Sequence, residues 1–80
     1  MSLGSYQPIA CVLHEKLEYA VLKRQSLQVH YRDAGKEVVS TVLPLDVFGK
    51  DASEWLKVQH IDGREETLRL DVILSFTDQV

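Results

Sequence analysis

The apolar residues between positions 11 and 24 repeat with the period of an α-helix. Four of them share one face at i, i+4, i+7 and i+8, namely Leu13, Leu17, Ala20 and Val21. Most charged residues of this segment fall on the other side, and Lys23 with Arg24 suit a helix C-terminus. The pattern predicts one amphipathic helix over residues 11–24, which needs a packing partner because about a dozen residues are marginal alone.

After residue 25 the apolar period shortens to two. Leu27, Val29 and Tyr31 alternate with polar residues, which predicts a half-buried strand. A second strand ends at Pro44, and Asp62-Gly63 is the strongest hairpin signal in the chain. In all, five strands are predicted within residues 26–76, at 27–31, 38–42, 54–61, 67–70 and 72–76.

One helix followed by five short strands joined by tight turns indicates a mainly β fold, either a strongly bent antiparallel sheet or a small barrel. Eighty residues provide enough chain for one domain, so we expect residues 1–80 to fold as a single unit. In the segment 38–43, apolar residues occupy both odd and even positions, which fits a strand whose two faces are both partly covered.

Composition narrows the class of protein. The 45% hydrophobic and 26% charged residues are typical of a globular chain, and no run is long enough to span a membrane. A single cysteine, Cys11, indicates a reducing compartment, and the N-terminus resembles no secretory signal. We therefore expect a cytoplasmic protein without membrane association.

The charge is unevenly distributed. The net charge is -3, and residues 51–80 carry seven carboxylates against three basic side chains. An acidic domain repels nucleic acid at long range and is attracted to basic surfaces. A protein partner with a basic surface is therefore expected rather than nucleic acid.

Residues that could carry catalysis are few. Cys11 and a histidine are the only thiol pair available, and the spacing of His14, His30 and His60 matches no compact zinc motif. We predict no enzyme activity, no metal and no cofactor. His30 and His60 are predicted to face solvent on their strands, and Glu65-Glu66 to belong to a solvated hairpin.

Trp55 lies on the third predicted strand and has two possible roles. It could stack on a nucleic-acid base or pack against protein. Its acidic neighbours Asp51 and Glu54 disfavour a bound phosphate, so a core or protein contact is favoured.

Motifs at both ends of the chain resemble one known family. Tyr6-Gln7-Pro8-Ile9 with Cys11, followed by Leu17-Glu18 and Ala20, resembles the opening of the Rho-binding antiterminator (Rof-like) family. The closing motif is Leu68-Arg69-Leu70-Asp71 followed by Ile73, Ser75 and Phe76. Between them, the family's positions for a turn glycine, an aspartate and an acidic-aromatic-Leu strand start hold Gly35, Asp46 and Glu54-Trp55-Leu56.

This resemblance implies a compact Sm-like barrel with an N-terminal helix, no catalytic activity and no cofactor. It also implies a partner, the hexameric transcription termination factor Rho, whose basic RNA-loading domains such proteins cover. The expected contacts are the carboxylates Glu15, Glu18 and Asp46, with Tyr6, Gln7 and His14 beside them. Where the family has an acidic stretch after the cysteine, this chain has Val12, Leu13, His14 and Glu15. A monomer is favoured.

Two other functions are kept open. An Sm-like module could bind RNA directly, which would require a basic, aromatic face. A thiol or metal enzyme centred on Cys11 would require an activity that is lost on Cys11→Ala.

Overall fold

The helical pattern of the N-terminal segment forms one helix, α1, which spans Cys11–Lys23. The structure, a computed structural model, describes residues 11–78. At the helix end Arg24 has φ +53°, and the amide of Gln25 donates to the carbonyl of Ala20 at 2.9 Å. The Arg24 amide donates to Val21 at 3.2 Å. These two bonds form a Schellman motif that satisfies the last carbonyls of the helix.

Five strands follow the helix, as the alternation after residue 25 predicts. They are β1 (Leu27–Asp33), β2 (Lys36–Lys50), β3 (Ser53–His60), β4 (Glu65–Arg69) and β5 (Ile73–Asp78). A 3-10 turn, Leu70–Val72, connects β4 to β5. The order in the sheet is β4-β3-β2-β1-β5, with every neighbouring pair antiparallel. The mainly β fold class predicted from the sequence is confirmed, and β5 ends two residues beyond its predicted limit.

The tight turns lie where glycine and aspartate predict them. Ala34 and Gly35 between β1 and β2 both have positive φ, at +51° and +81°, as a type I′ turn requires. Asp51 and Ala52 between β2 and β3 do the same at +54° and +59°. Type I′ turns match the twist of the strands they join, so both hairpins close with two residues.

The turn between β3 and β4 uses Asp62-Gly63 differently. Gly63 has φ +89°, its amide donates to the His60 carbonyl at 2.9 Å, and the His60 amide donates to the Arg64 carbonyl at 2.8 Å. The Asp62 carboxylate also accepts from the Arg64 amide at 2.9 Å. The hairpin loop therefore has three residues and places the glycine in the left-handed conformation.

The prediction that Pro44 ends the second strand is wrong. Strand β2 continues to Lys50, but it pairs with β1 only as far as Val42 and with β3 from Val42 onward. Pro44 therefore lies where β2 leaves β1, and the register with β3 shifts between Pro44 and Asp46. A missing amide is tolerated at such a bulge, which also bends the strand.

The bend closes the sheet around a core. Tyr31 of β1 and Glu66 of β4 belong to strands separated by two others, yet the Tyr31 hydroxyl lies 3.4 Å from Glu66 Oε1. In a flat sheet these strands would be about 14 Å apart. The 3-10 turn contacts both β3 and β1, so the chain crosses the barrel end as it passes from one sheet edge to the other.

Every helix and strand except β5 contributes buried residues to the core. Its buried apolar residues are Leu17, Ala20, Leu27, Val29, Tyr31, Val42, Leu56, Val58, Leu68 and Leu70. Because α1 contributes Leu17 and Ala20, the helix covers the barrel with the face that its periodicity predicts. Within residues 11–78 the structure offers no helix with the length and apolar character that crossing a bilayer requires.

Candidate functional site: the acidic end of the helix

The middle of α1 carries two of the predicted contact carboxylates. Glu15 and Glu18 are exposed and lie three residues apart, so they are neighbours on the helix surface. His14 precedes them and places its Nδ1 2.7 Å from Glu18 Oε1. Its Nε2 lies 3.4 Å from Oε2 of Glu54 at the start of β3. His14 thus links the helix to the β2–β3 hairpin through two carboxylates.

Glu18 and Glu54, joined through His14, form an acidic face together with Glu15 beside Glu18 on the helix. Carboxylates only accept hydrogen bonds, so His14 can donate to both of its partners only as an imidazolium. In that state the ring holds Glu18 and Glu54 beside each other, and both side chains are about half exposed. Such a face can receive ammonium or guanidinium groups of a partner.

Asp46 lies elsewhere. It is exposed on β2 and stands opposite Lys57 in the β2–β3 register, so the two share a face of the sheet. Lys57 and Glu54 differ in parity along β3, which puts them on opposite faces. The structure therefore brings Glu18 together with His14 and Glu54, and places Asp46 on the opposite side of the ladder.

Two predicted contacts cannot be located. Tyr6 and Gln7 lie outside the described residues, and so does the side chain of Cys11. Among residues 11–78, no His, Cys, Asp or Glu side chains are grouped as a metal ion would require.

The prediction that His60 faces solvent is wrong. The His60 side chain is buried, with 7% of the residue exposed, and it stands opposite Val42 of β2. His60 has the same parity as Leu56 and Val58 of the core. That parity was the signal in the sequence, and it places the imidazole on the inner face.

A polar network surrounds His60 inside the barrel. Ser40 Oγ lies 3.0 Å from His60 Nδ1, and His60 Nε2 lies 2.8 Å from Glu66 Oε1. A ring protonated at Nε2 donates to Glu66 and accepts from the Ser40 hydroxyl, which satisfies every group. The Tyr31 hydroxyl donates to the same carboxylate oxygen. Glu66, predicted to be solvated, is half-buried, and the network as a whole joins four strands.

The hydroxyl–imidazole–carboxylate order of this network also occurs in nucleophilic hydrolases. A nucleophilic site, however, needs its hydroxyl and imidazole to face a space that a substrate can enter. His60 faces the core instead, and no buried side-chain nitrogen or oxygen in the described part of the chain lacks a hydrogen-bond partner. We interpret the network as a structural connection between strands.

The closing sequence motif also has a structural role. Leu68 and Leu70 are core residues, and Arg69 Nε donates to Asp71 Oδ1 at 2.7 Å within the turn that leads to β5. Asp71 therefore acts as a turn residue between β4 and β5. The motif thus contributes two core residues and stabilises the turn between β4 and β5.

Trp55 is half-buried on the outward face of β3. Its Nε1 donates to the carbonyl of Lys50 at 2.9 Å, and it stands opposite Phe48 on β2 and Arg69 on β4. The hydrogen bond to Lys50 therefore fixes the indole on the β2–β3 hairpin, consistent with a contact to protein and not to a nucleic-acid base.

The fold is similar to part of a longer protein of known structure. The chain matches the Proteasome accessory factor B/C (PafBC) of Arthrobacter aurescens with a TM-score of 0.76 and 18% sequence identity. The match covers 92% of this chain and 12% of that one, so this chain spans about an eighth of its length. The similarity shows the fold. No protein-family model matches the sequence, and no curated protein matches it either.

Proposed function

We propose that this protein is a cytoplasmic antiterminator that binds the transcription termination factor Rho and prevents RNA from loading. The observation that carries the proposal is the acidic face, where Glu15 and Glu18 are exposed on α1 and Glu54 joins them through His14. The resemblance of both chain ends to the Rho-binding antiterminator family supplies the partner.

The electrostatic logic is competition with a polyanion. A surface that holds RNA phosphates presents Lys and Arg side chains, which also attract carboxylates. A small domain of net charge -3 docked there excludes RNA by volume and by charge. Binding should weaken as ionic strength rises, because exposed charges are screened beyond a Debye length of about 10 Å at 0.1 M salt.

The test measures displacement of a fluorescent RNA from purified Rho by anisotropy at low ionic strength. The wild-type protein should release the RNA, and the double variant Glu15→Gln with Glu18→Gln should need at least about tenfold more protein, since each charged contact contributes roughly 1 kcal/mol or more. Asp46→Asn decides whether the opposite face also contributes.

A matched control is Glu37→Gln, which removes an exposed carboxylate that contacts His30 far along the chain from α1. It should leave RNA release unchanged. If the wild-type protein leaves Rho's RNA binding intact at low salt, the proposed function is wrong. If it instead binds the RNA in the absence of Rho, the direct RNA-binding alternative replaces it.

A further inference from the structure

The outward side of α1 is unusually apolar for a helix face that no other element within residues 11–78 covers. Val12 is 56% exposed, Tyr19 52% and Leu22 83%, whereas Leu17 and Ala20 on the inward side are buried. Successive helical residues are about 100° apart, so the three exposed side chains fall within an arc of about 80°. They share one strip of the helix surface instead of being scattered around it.

Charged residues are arranged along the same strip with opposite signs at its two ends. Glu15, Tyr19 and Lys23 follow one another at i, i+4 and i+8, which makes a single row on the helix. The ammonium of Lys23 lies 5.7 Å from the centre of the Tyr19 ring, so it is aligned with the row. We call Val12, Glu15, Tyr19, Leu22 and Lys23 the outer strip.

The outer strip is complementary to itself when it is turned end for end. Tyr19 is four residues from Glu15 and four from Lys23, so a two-fold axis at Tyr19 places Glu15 of each copy opposite Lys23 of the other. The two tyrosine rings then meet at the axis, and Leu22 lies beside them on each side. An isologous contact requires this kind of symmetry between one patch and itself.

We propose that the occupant of the outer strip is a second copy of this chain, packed as an antiparallel α1–α1 pair. Tyr19 and Leu22 of each copy supply the burial, and the Glu15–Lys23 pairs set the antiparallel direction. The antiparallel arrangement also opposes the two helix dipoles favourably. This proposal does not rest on binding to Rho.

The contact is small. A helix of 13 residues is about 20 Å long, so two such faces bury less than the roughly 1,200 Å² of a stable complex. We therefore expect a reversible dimer with a Kd on the order of 0.1 mM. At micromolar concentration we therefore expect the chain to be a monomer.

Sedimentation equilibrium of the full chain tests the proposal. Between about 10 µM and 1 mM, a range that brackets the expected Kd, the weight-average mass should rise from 9.1 kDa toward twice that value. Glu15→Lys and Lys23→Glu should each weaken association at least tenfold, because each sets like charges opposite one another. The double variant that combines them should restore association, since it re-creates both pairs with their signs exchanged.

Leu22→Ser tests the apolar part without disturbing the fold, because this side chain is almost entirely exposed in the monomer. It should also weaken association at least tenfold. The matched control is Ile61→Ser, which removes an apolar side chain that is 85% exposed in the β3–β4 turn, away from α1. Circular dichroism at micromolar concentration establishes that each variant keeps its helix.

Three results would overturn the proposal. The first is a mass that stays at 9.1 kDa up to 1 mM, which would leave the strip to a different kind of partner. The second is an equal loss of association in Ile61→Ser, which would place the contact elsewhere. The third is failure of the charge-exchange variant to associate while both single variants remain folded.

Discussion

The phenol of Tyr31 connects the ionisation of one residue to the stability of the barrel. Burial raises the pKa of Tyr31 above its ordinary value of 10.0, and the negative charge and hydrogen bond of Glu66 raise it further. The charge of Asp33 acts in the same direction, whereas Arg64 opposes it. The folded protein therefore holds the phenolic proton more tightly than the unfolded chain does.

Because the pKa of Tyr31 is raised, the free energy of unfolding falls at high pH. Below pH 10 both states keep the proton, so the favourable contribution is fully present. As the pH rises through 10 and then through the pKa of the folded state, the unfolded chain ionises first and the contribution is lost. Urea unfolding between about pH 9 and pH 11 should show stability falling more steeply for wild type than for Tyr31→Phe.

A second variant separates the effect of the Glu66 charge on the pKa of Tyr31 from the effect of burial. Glu66→Gln removes the charge but keeps the carbonyl that can accept from Tyr31, so the pKa of Tyr31 should move back toward 10.0. Ultraviolet titrations of wild type and Glu66→Gln, each compared with the same protein carrying Tyr31→Phe, isolate this phenol from the other two tyrosines. Parallel pH profiles for wild type and Tyr31→Phe would contradict the burial and ionic environment described for Tyr31.

At the scale of elements, the two-residue turn between β2 and β3 contains avoidable strain. Asp51 and Ala52 both have positive φ, a conformation that is costly for an L-residue with a Cβ atom. Type I′ turns favour glycine at the second central position, as Ala34-Gly35 shows in the preceding hairpin. The β2–β3 hairpin therefore forms because its strands pair, despite its turn residues.

Replacing the strained residue should stabilise the protein. Ala52→Gly should raise the free energy of unfolding by about 0.5 kcal/mol, because relief of the left-handed strain exceeds the added entropy of the unfolded chain. The matched control is Ala20→Gly within α1, which should lower it by about 1 kcal/mol or more. Urea midpoints measure both, and a loss of stability in Ala52→Gly would contradict the turn geometry.

At the scale of the molecule, helix and barrel share one core, so we expect them to unfold together. A chain of 80 residues has a free energy of unfolding of roughly 4–12 kcal/mol. Leu17 is 1% exposed, so Leu17→Ala should remove about 2–4 kcal/mol, a large share of the total. The exposed Leu22→Ala in the same helix should change it by less than about 0.5 kcal/mol.

Two optical signals report this cooperativity. Circular dichroism at the helix band follows α1, and the fluorescence of Trp55 follows the β2–β3 hairpin. In wild type and in Leu17→Ala the two transitions should coincide at micromolar concentration. A helix signal that is lost before the tryptophan signal would show that α1 is not part of the cooperative unit.

Only part of the candidate site could be predicted from the sequence. Glu15 and Glu18 were recognisable because a helical period places them on the outside of α1, whatever it packs against. The contact between His14 and Glu54 could not be predicted from the sequence, because these residues are forty positions apart. Asp46 could be named as a carboxylate, but its separation from the acidic face depends on the bulge after Pro44.

Local patterns by themselves determined the helix, the number of strands, the turn positions and the fold class, because spacing and turn chemistry act over a few neighbouring residues. Only the tertiary structure decided that β2 continues past Pro44, that His60 contacts Glu66 and that Tyr31 meets Glu66. Those outcomes depend on how far the sheet bends. The bend is chosen by the packing of the whole core, to which distant segments contribute together.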